Sequence, residues 1–247
     1  MGKSIMKQRD LQPERMDDPD LPTEDHLHAL QGLARLNRFS RIEPSLFQII
    51  RRFGRRQPNG KLRVLDVASG SGDVPIQWIT RAKREGWELD LTMVDNRSTA
   101  CDEQQRLAAK KGVRANSIQL DCLSSALPGG FDVVTCSLFF HHLKNFEVFQ
   151  LLQAMQAASS GGLVLCDLER SWMNLQMVRL ASRCLTRSPI VHEDALISVR
   201  AAFTTGEFGT IASSALSRPF KIERVFPCRF VLTTEELVAK NPTPIMA

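Results

Sequence analysis

The sequence predicts a doubly wound α/β fold, a mostly parallel sheet covered by helices on both faces and ending in an antiparallel hairpin. Three observations carry this. Apolar runs alternate with helical stretches from Leu62 to about Asp167. The runs are apolar throughout rather than at every second residue, as in strands buried on both faces. The last two runs, Phe220 to Phe226 and Cys228 to Leu232, are separated only by Pro227, and so short a link joins antiparallel neighbours.

Residues 1–25 are polar and charged, carry Pro13, Pro19 and Pro22, and are expected to form a mobile arm. One domain is expected over 26–247. Its N-terminal helices (26–56) begin where Leu27, Leu30, Leu33 and Leu36 recur at helical spacing. A second helix opens with Pro44 at its first position, and Leu46, Ile49, Ile50 and Phe53 fall at i, i+3, i+4 and i+7 before Gly54 ends it. After the Asn59-Gly60 turn comes a core over 60–170. Its strands are Val64–Val67, Leu89–Val94, Ser117–Leu120, Phe131–Ser137 and Gly162–Asp167; its helices are Asp73–Arg84, Ser98–Lys111 and Asn145–Ala157. A helical insertion over 171–217 follows, read as a helix from Trp172 to Thr186, a connector from Pro189 to Phe203 and a helix from Thr205 to Leu216. The terminal hairpin occupies 218–235.

Composition narrows the function classes. The chain has 247 residues, a formal charge of +5, and is 43% hydrophobic and 24% charged. No window reaches the roughly 18 consecutive apolar residues of a membrane helix, and the start MGKSIMKQRD lacks the apolar stretch of a signal peptide, so neither a membrane span nor Sec export is expected. Six cysteines stand apart without a CxxC pair, which excludes a disulfide framework or a zinc knuckle and suits a reducing cytoplasm. The basic stretch Arg51-Arg52-Phe53-Gly54-Arg55-Arg56 with Lys61 and Arg63 reads as a solvated helix end rather than a nucleic-acid surface.

The most informative segment runs from Val64 to Pro75. A strand that empties into Ala68-Ser69-Gly70-Ser71-Gly72 and then starts a helix presents free backbone N–H groups, and its small residues let a ligand approach the main chain. The flanks select the ligand. Gly72-Asp73-Val74 has no lysine, which excludes a P-loop. Pro75 stands where a dinucleotide fingerprint needs its third glycine, and Asp73 would repel a pyrophosphate at the helix start. Acids then follow in order: Asp66 within the first strand, Asp95 at the end of the second, where a carboxylate can accept two ribose hydroxyls, and Asp121 at the end of the third, placed for an adenine amino group. The ligand implied has cationic groups and no phosphate.

Val64 to Val74, Asp95, Asp121 and Phe131-Asp-Val-Val-Thr-Cys-Ser137, in that order and spacing, resemble the successive motifs of class I S-adenosylmethionine-dependent methyltransferases over about residues 60–170. The resemblance implies a Rossmann-like sheet with S-adenosyl-L-methionine as cofactor. It implies that Ala68, Gly70 and Gly72 flank the methionine part, with Asp66 near its ammonium. It places Asp95 on the ribose, Asn96 beside the adenine, Asp121 and Cys122 at the adenine edge, and Ser137 on the cofactor side. The family usually has glycine where this chain has Ala68.

After the fourth strand comes Ser137-Leu-Phe-Phe-His-His-Leu143, without the Pro-Pro signature of amino-methyltransferases. The pair His141-His142 is instead similar to small-molecule methyltransferases of the ubiquinone and menaquinone type, while Cys166 to Ser171, Arg187 to His192 and Ser198 to Phe203 resemble enzymes found beside polyketide pathways. An ionised phenol or enol is the better nucleophile toward a sulfonium methyl, and histidine side chains, which generally titrate near ~6.5, can take such a proton. His141, and next His142, are the candidate catalytic residues. Neighbouring side chains are expected to diverge, so no metal site is expected. The expected function is O-methylation of a small hydroxylated, aromatic or quinone-like acceptor, with C-methylation of such a ring or cofactor binding without transfer as rivals. No nucleic-acid partner is expected, and oligomeric state has no signature in the sequence.

Overall fold

The computed structural model describes residues 6–18 and 20–234. Seven strands form one sheet: β1 (Lys61–Val67), β2 (Glu88–Asp95), β3 (Asn116–Gln119), β4 (Phe131–Ser137), β5 (Ser159–Leu168), β6 (Phe220–Val225) and β7 (Arg229–Thr234). Their order is β3-β2-β1-β4-β5-β7-β6. The first five pair in parallel, and β7 runs antiparallel to both β5 and β6. The expected Rossmann-like sheet with a terminal hairpin is therefore present.

Successive side chains of a strand point to opposite faces, and here both faces are covered. Val64, Val133, Val164 and Val231 meet α2 (Ile42–Gly54) and α3 (Pro75–Arg84) through Leu46, Phe47, Ile50 and Trp78. Their neighbours Leu65, Val134, Leu165 and Leu232 pack on the other face with α5 (Asn145–Ala158) and α8 (Thr205–Ala215), around Phe140, Phe203 and Phe208. Burial on both sides is why these strands read as unbroken apolar runs.

A third group of helices, α1 (Thr23–Phe39), α6 (Trp172–Leu185) and α7 (Pro189–Ala201), packs together through Ala29, Ile190 and Val191. The connector expected from Pro189 to Phe203 is thus corrected to a helix. Pro189 occupies its first turn, and the Ser188 hydroxyl accepts the N–H of Val191, so the proline starts the helix rather than preventing it.

Where residues 1–25 are described, their side chains and backbone have partners elsewhere in the fold. Arg9 donates to the carbonyls of Ala201 (2.6 Å), Leu143 (2.9 Å) and His141 (3.1 Å), and its guanidinium lies 3.5 Å from the Phe203 ring centroid. Asp194 accepts the N–H groups of Arg15 and Met16. Helix α4 (Ser98–Lys111) completes the layer over β2 and β3.

Candidate active site

Order reverses between β1 and β4, which run outward in opposite directions across the sheet, and ligands of open α/β sheets bind at the carboxyl ends of strands at such a switch point. A cavity of about 820 Å³ opens there. Its floor is the loop after β1 (Ala68 to Ser71), the ends of β2 and β4 (Asp95, Asn96, Ser137) and the turn at Asp121 and Cys122. Its roof is α1, α6 and α7.

The loop after β1 is held from beneath. The N–H of Gly70 donates to Oδ2 of Asp95 at 2.8 Å, Gln104 Nε2 donates to the Gly70 carbonyl at 2.8 Å, and Asp95 Oδ1 accepts the N–H of Arg97. Gly70 has φ +54°, and a Cβ built there meets nothing within 4 Å, so the backbone is bare on that side. Ala68 shares this left-handed conformation at φ 54°, a geometry that accounts for glycine being usual at its position.

Nine of the sequence-predicted residues come together on the cavity wall: Ala68, Gly70, Asp95, Asn96, Asp121, Cys122, Ser137, His141 and His142. Asp66 and Gly72 stand behind it. The Asp66 carboxylate accepts the Thr135 hydroxyl at 2.5 Å, and burial pushes its pKa up to about 7. A Cβ on Gly72 would come within 2.8 Å of Met93 Sδ. Asp121 spends its oxygens on its own turn, accepting Leu123 N–H and the Ser124 hydroxyl. Burial keeps the neighbouring Cys122 thiol neutral, with a pKa of about 12.

Further cavity residues escaped the sequence analysis. Asp73, used there only against a pyrophosphate, lines the wall beside Asn37; its pKa is raised by burial, and it accepts Ser71 Oγ at 2.9 Å. Arg229 of β7 places a buried guanidinium on the wall, its pKa lowered by burial, with Nη1 3.4 Å from the Ser40 carbonyl. Asp167, at the end of β5, accepts His141 Nδ1–H at 2.7 Å and the His141 backbone N–H at 3.0 Å. It carries the same strand-end signal that singled out Asp95 and Asp121. Glu14 had no such signal.

His141 and His142 do not diverge as expected. They sit in a one-turn 3-10 helix (Phe140–His142), where neighbours project about 120° apart instead of to opposite faces as in a strand. Their rings lie 4.3 Å apart, and the N-terminal segment lays Glu14 across both. Oε1 of Glu14 is 3.8 Å from His141 Nε2 and 3.9 Å from His142 Nδ1, so the reason given against a metal site does not hold.

Residues 64–162 match the family described as a methyltransferase domain. Those residues form a methyltransferase domain. Over 67 residues it is 39% identical to a ubiquinone/menaquinone biosynthesis C-methyltransferase of Rickettsia bellii, a match covering 27% of this chain and 25% of that one. The chain therefore spans about a quarter of the length of the curated relatives it matches. Among solved structures, the methyltransferase domain and its surrounding helices are similar to an O-methyltransferase family protein of Burkholderia thailandensis (TM-score 0.64, 14% identity, 94% of this chain and 66% of that one). They are also similar to a SAM-dependent methyltransferase of Aquifex aeolicus (TM-score 0.60, 17% identity, 83% and 95%). A third is an O-methyltransferase family 2 protein of Planctomyces limnophilus in complex with apigenin (TM-score 0.58, 17% identity, 89% and 63%). At these identities the likeness is one of fold. Among the described residues no helix is long and apolar enough to cross a membrane.

The donor set of the methyltransferase domain suits S-adenosylmethionine. The bare Gly70 backbone and the carboxylates of Asp73 and Asp95 surround the β1 loop, and a cationic, phosphate-free ligand is what an acidic lining accepts. Within the basic stretch, Arg51 and Arg55 both pair with Glu85, Lys61 with Glu88 and Asp90, and Arg63 with Asp132.

Proposed function

We propose that the chain transfers the methyl group of S-adenosylmethionine to an oxygen of a small, hydroxylated, largely apolar aromatic acceptor. The observation that carries this is the continuity of the cavity, which joins the β1, β2 and β4 ends to the buried Glu14 and His141 and the half-buried His142 under an apolar roof. Bound S-adenosylmethionine supplies an electrophilic sulfonium methyl group. Gly70 and Asp95 hold the cofactor end. Leu30, Leu33, Leu36, Met177 and Val178 line the remainder and suit a flat apolar ring.

His141 marks the acceptor end. Asp167 fixes its ring so that Nδ1–H points away from the cavity and Nε2 points toward Glu14. The acceptor hydroxyl is ionised at this cluster, and the apolar walls align its oxygen for in-line displacement while excluding water. The relatives bearing an O-methyltransferase description support oxygen as the acceptor atom. C-methylation of a quinone-like ring is the second reading, favoured by the 67-residue similarity to the C-methyltransferase. Free thiols in all six cysteines suit a reducing cytoplasm.

Titration calorimetry with S-adenosylhomocysteine and NAD tests the cofactor. Saturable binding of the first alone is expected, whereas NAD binding without a response to S-adenosylhomocysteine would remove the reading. Transfer of labelled methyl groups to a panel of phenols and quinones, with the product position read by NMR, separates O- from C-methylation.

A further inference from the structure

We propose that Glu14, His141 and His142 bind a divalent transition-metal ion that holds an acceptor offering two neighbouring oxygens, such as a hydroxyl beside a second hydroxyl or a carbonyl. The inference rests on the reading of this end of the cavity as the acceptor site, and specifies how the hydroxyl is ionised there.

Four observations converge. Glu14 Oε1, His141 Nε2 and His142 Nδ1 all lie within 4.8 Å of one another, with the two carboxylate-to-imidazole separations at 3.8 and 3.9 Å. Those separations are too long for direct hydrogen bonds. Ligand atoms about 2.1 Å from one tetrahedral ion lie ~3.4 Å apart, so modest side-chain rotation closes the set.

The groups are also sequestered: the side chains of Glu14 and His141 are 6% and 4% exposed, and all three residues face the cavity. A carboxylate held beside two imidazoles away from water is costly unless positive charge accompanies it, and a bound metal ion supplies that charge.

The ligands are braced from behind. His141 donates its other ring N–H to Asp167 at 2.7 Å, the carboxylate–histidine arrangement that fixes a metal-binding imidazole, and Ser198 Oγ donates to Glu14 Oε1 at 2.5 Å.

Finally, the donor set is informative. Two imidazoles and one carboxylate suit zinc, iron(II), manganese or cobalt better than magnesium, which takes oxygen ligands. Three protein ligands leave one position open on a tetrahedral ion and two once it expands to five-coordinate, and two neighbouring acceptor oxygens can fill those. On binding, the hydroxyl loses its proton to solvent. A lone pair of the resulting oxyanion then forms the O–CH₃ bond as the S–CH₃ bond breaks, and the electron pair of that bond remains on the sulfur of S-adenosylhomocysteine.

The test uses the full-length, tag-free, chelator-treated protein carrying Cys184→Ser, so that the exposed thiol does not compete. Calorimetry with Zn²⁺, and the visible spectrum with Co²⁺, should report one ion per chain. Glu14→Gln and His142→Gln should each weaken binding at least about 10-fold, with S-adenosylhomocysteine affinity unchanged as proof of folding. Catechol, but not phenol, should alter the Co²⁺ spectrum. A protein that binds S-adenosylhomocysteine yet takes up none of Zn²⁺, Co²⁺ or Mn²⁺ at ~100-fold the micromolar range would overturn the site. So would undiminished ion binding in both variants. A Co²⁺ spectrum indifferent to catechol would overturn the acceptor class. Ion uptake without any S-adenosylhomocysteine binding would retain the metal site and sink the methyl-transfer reading instead.

Discussion

Asp167 grips His141 twice: Oδ1 accepts the ring Nδ1–H at 2.7 Å and Oδ2 accepts the backbone N–H at 3.0 Å. One carboxylate thereby sets both the turn that carries His141 and the nitrogen that it presents to the cavity. His141→Ala is expected to lower turnover by roughly 10²-fold or more, the usual size of an acceptor-activating contribution. The S-adenosylhomocysteine dissociation constant should remain within a factor of about two, because the ring lies at the acceptor end. Asp167→Asn should reduce turnover less, by at least about 10-fold, since the amide oxygen can still accept but no longer dictates the tautomer. Normal turnover in folded His141→Ala would remove the residue from the chemistry.

Asp95 has two duties, holding the Gly70 N–H and facing the cavity. Asp95→Ala should weaken S-adenosylhomocysteine binding by roughly 1.5 to 3 kcal/mol, the range for hydrogen bonds to a charged group. Calorimetry measures this directly, and an unchanged dissociation constant would place the ribose elsewhere.

Two positions in the same loop should respond in opposite directions. A Cβ on Gly72 meets Met93 Sδ at 2.8 Å and Ile76 Cδ1 at 2.9 Å in a left-handed backbone of φ +71°. Gly72→Ala should therefore cost about 2 to 5 kcal/mol, the sum of a left-handed penalty and overpacking. Ala68 already carries that penalty at φ 54°, and Ala68→Gly should recover up to about 1 kcal/mol. Urea melts of the two variants beside the parent chain check both signs.

Asp66 makes stability depend on pH. Its carboxyl, buried against Thr135, has a pKa raised from 3.8 to about 7. Between those values the folded chain holds a proton that the unfolded chain has lost, so stability contributed by this group is full below about pH 4 and declines as pH rises to about 7. The difference between pH 5 and pH 8 is roughly 2 to 3 kcal/mol. Asp66→Asn, which still accepts from Thr135, should stabilise the chain more at pH 8 than at pH 5, by that same roughly 2 to 3 kcal/mol, and have little effect only near about pH 4. Denaturation at the two pH values decides it, and a pH-independent difference would show that Asp66 does not titrate in this range.

The sequence by itself determined the sheet and the cavity wall at the ends of β1 and β2, because both are written in local signals. Strand runs and small-residue loops are read over a few residues, and the spacing of Asp95 and Asp121 along successive strand ends follows from the alternation of strand and helix. Helix α7 went unread since Ser188-Pro189 can open a helix as readily as a connector, and only its packing against α1 and α6 distinguishes the two. The grouping of Glu14, His141, His142 and Asp167 was decided by tertiary structure alone. His141 was legible as a candidate, but its partner Asp167 lies 26 residues away. Glu14 belongs to a segment whose polar composition resembles disorder, and the Ser198 that holds it is 184 residues distant. Folding brings these groups into a space with little water, where a charge must find a partner, and no local pattern of residue types records which partner that will be.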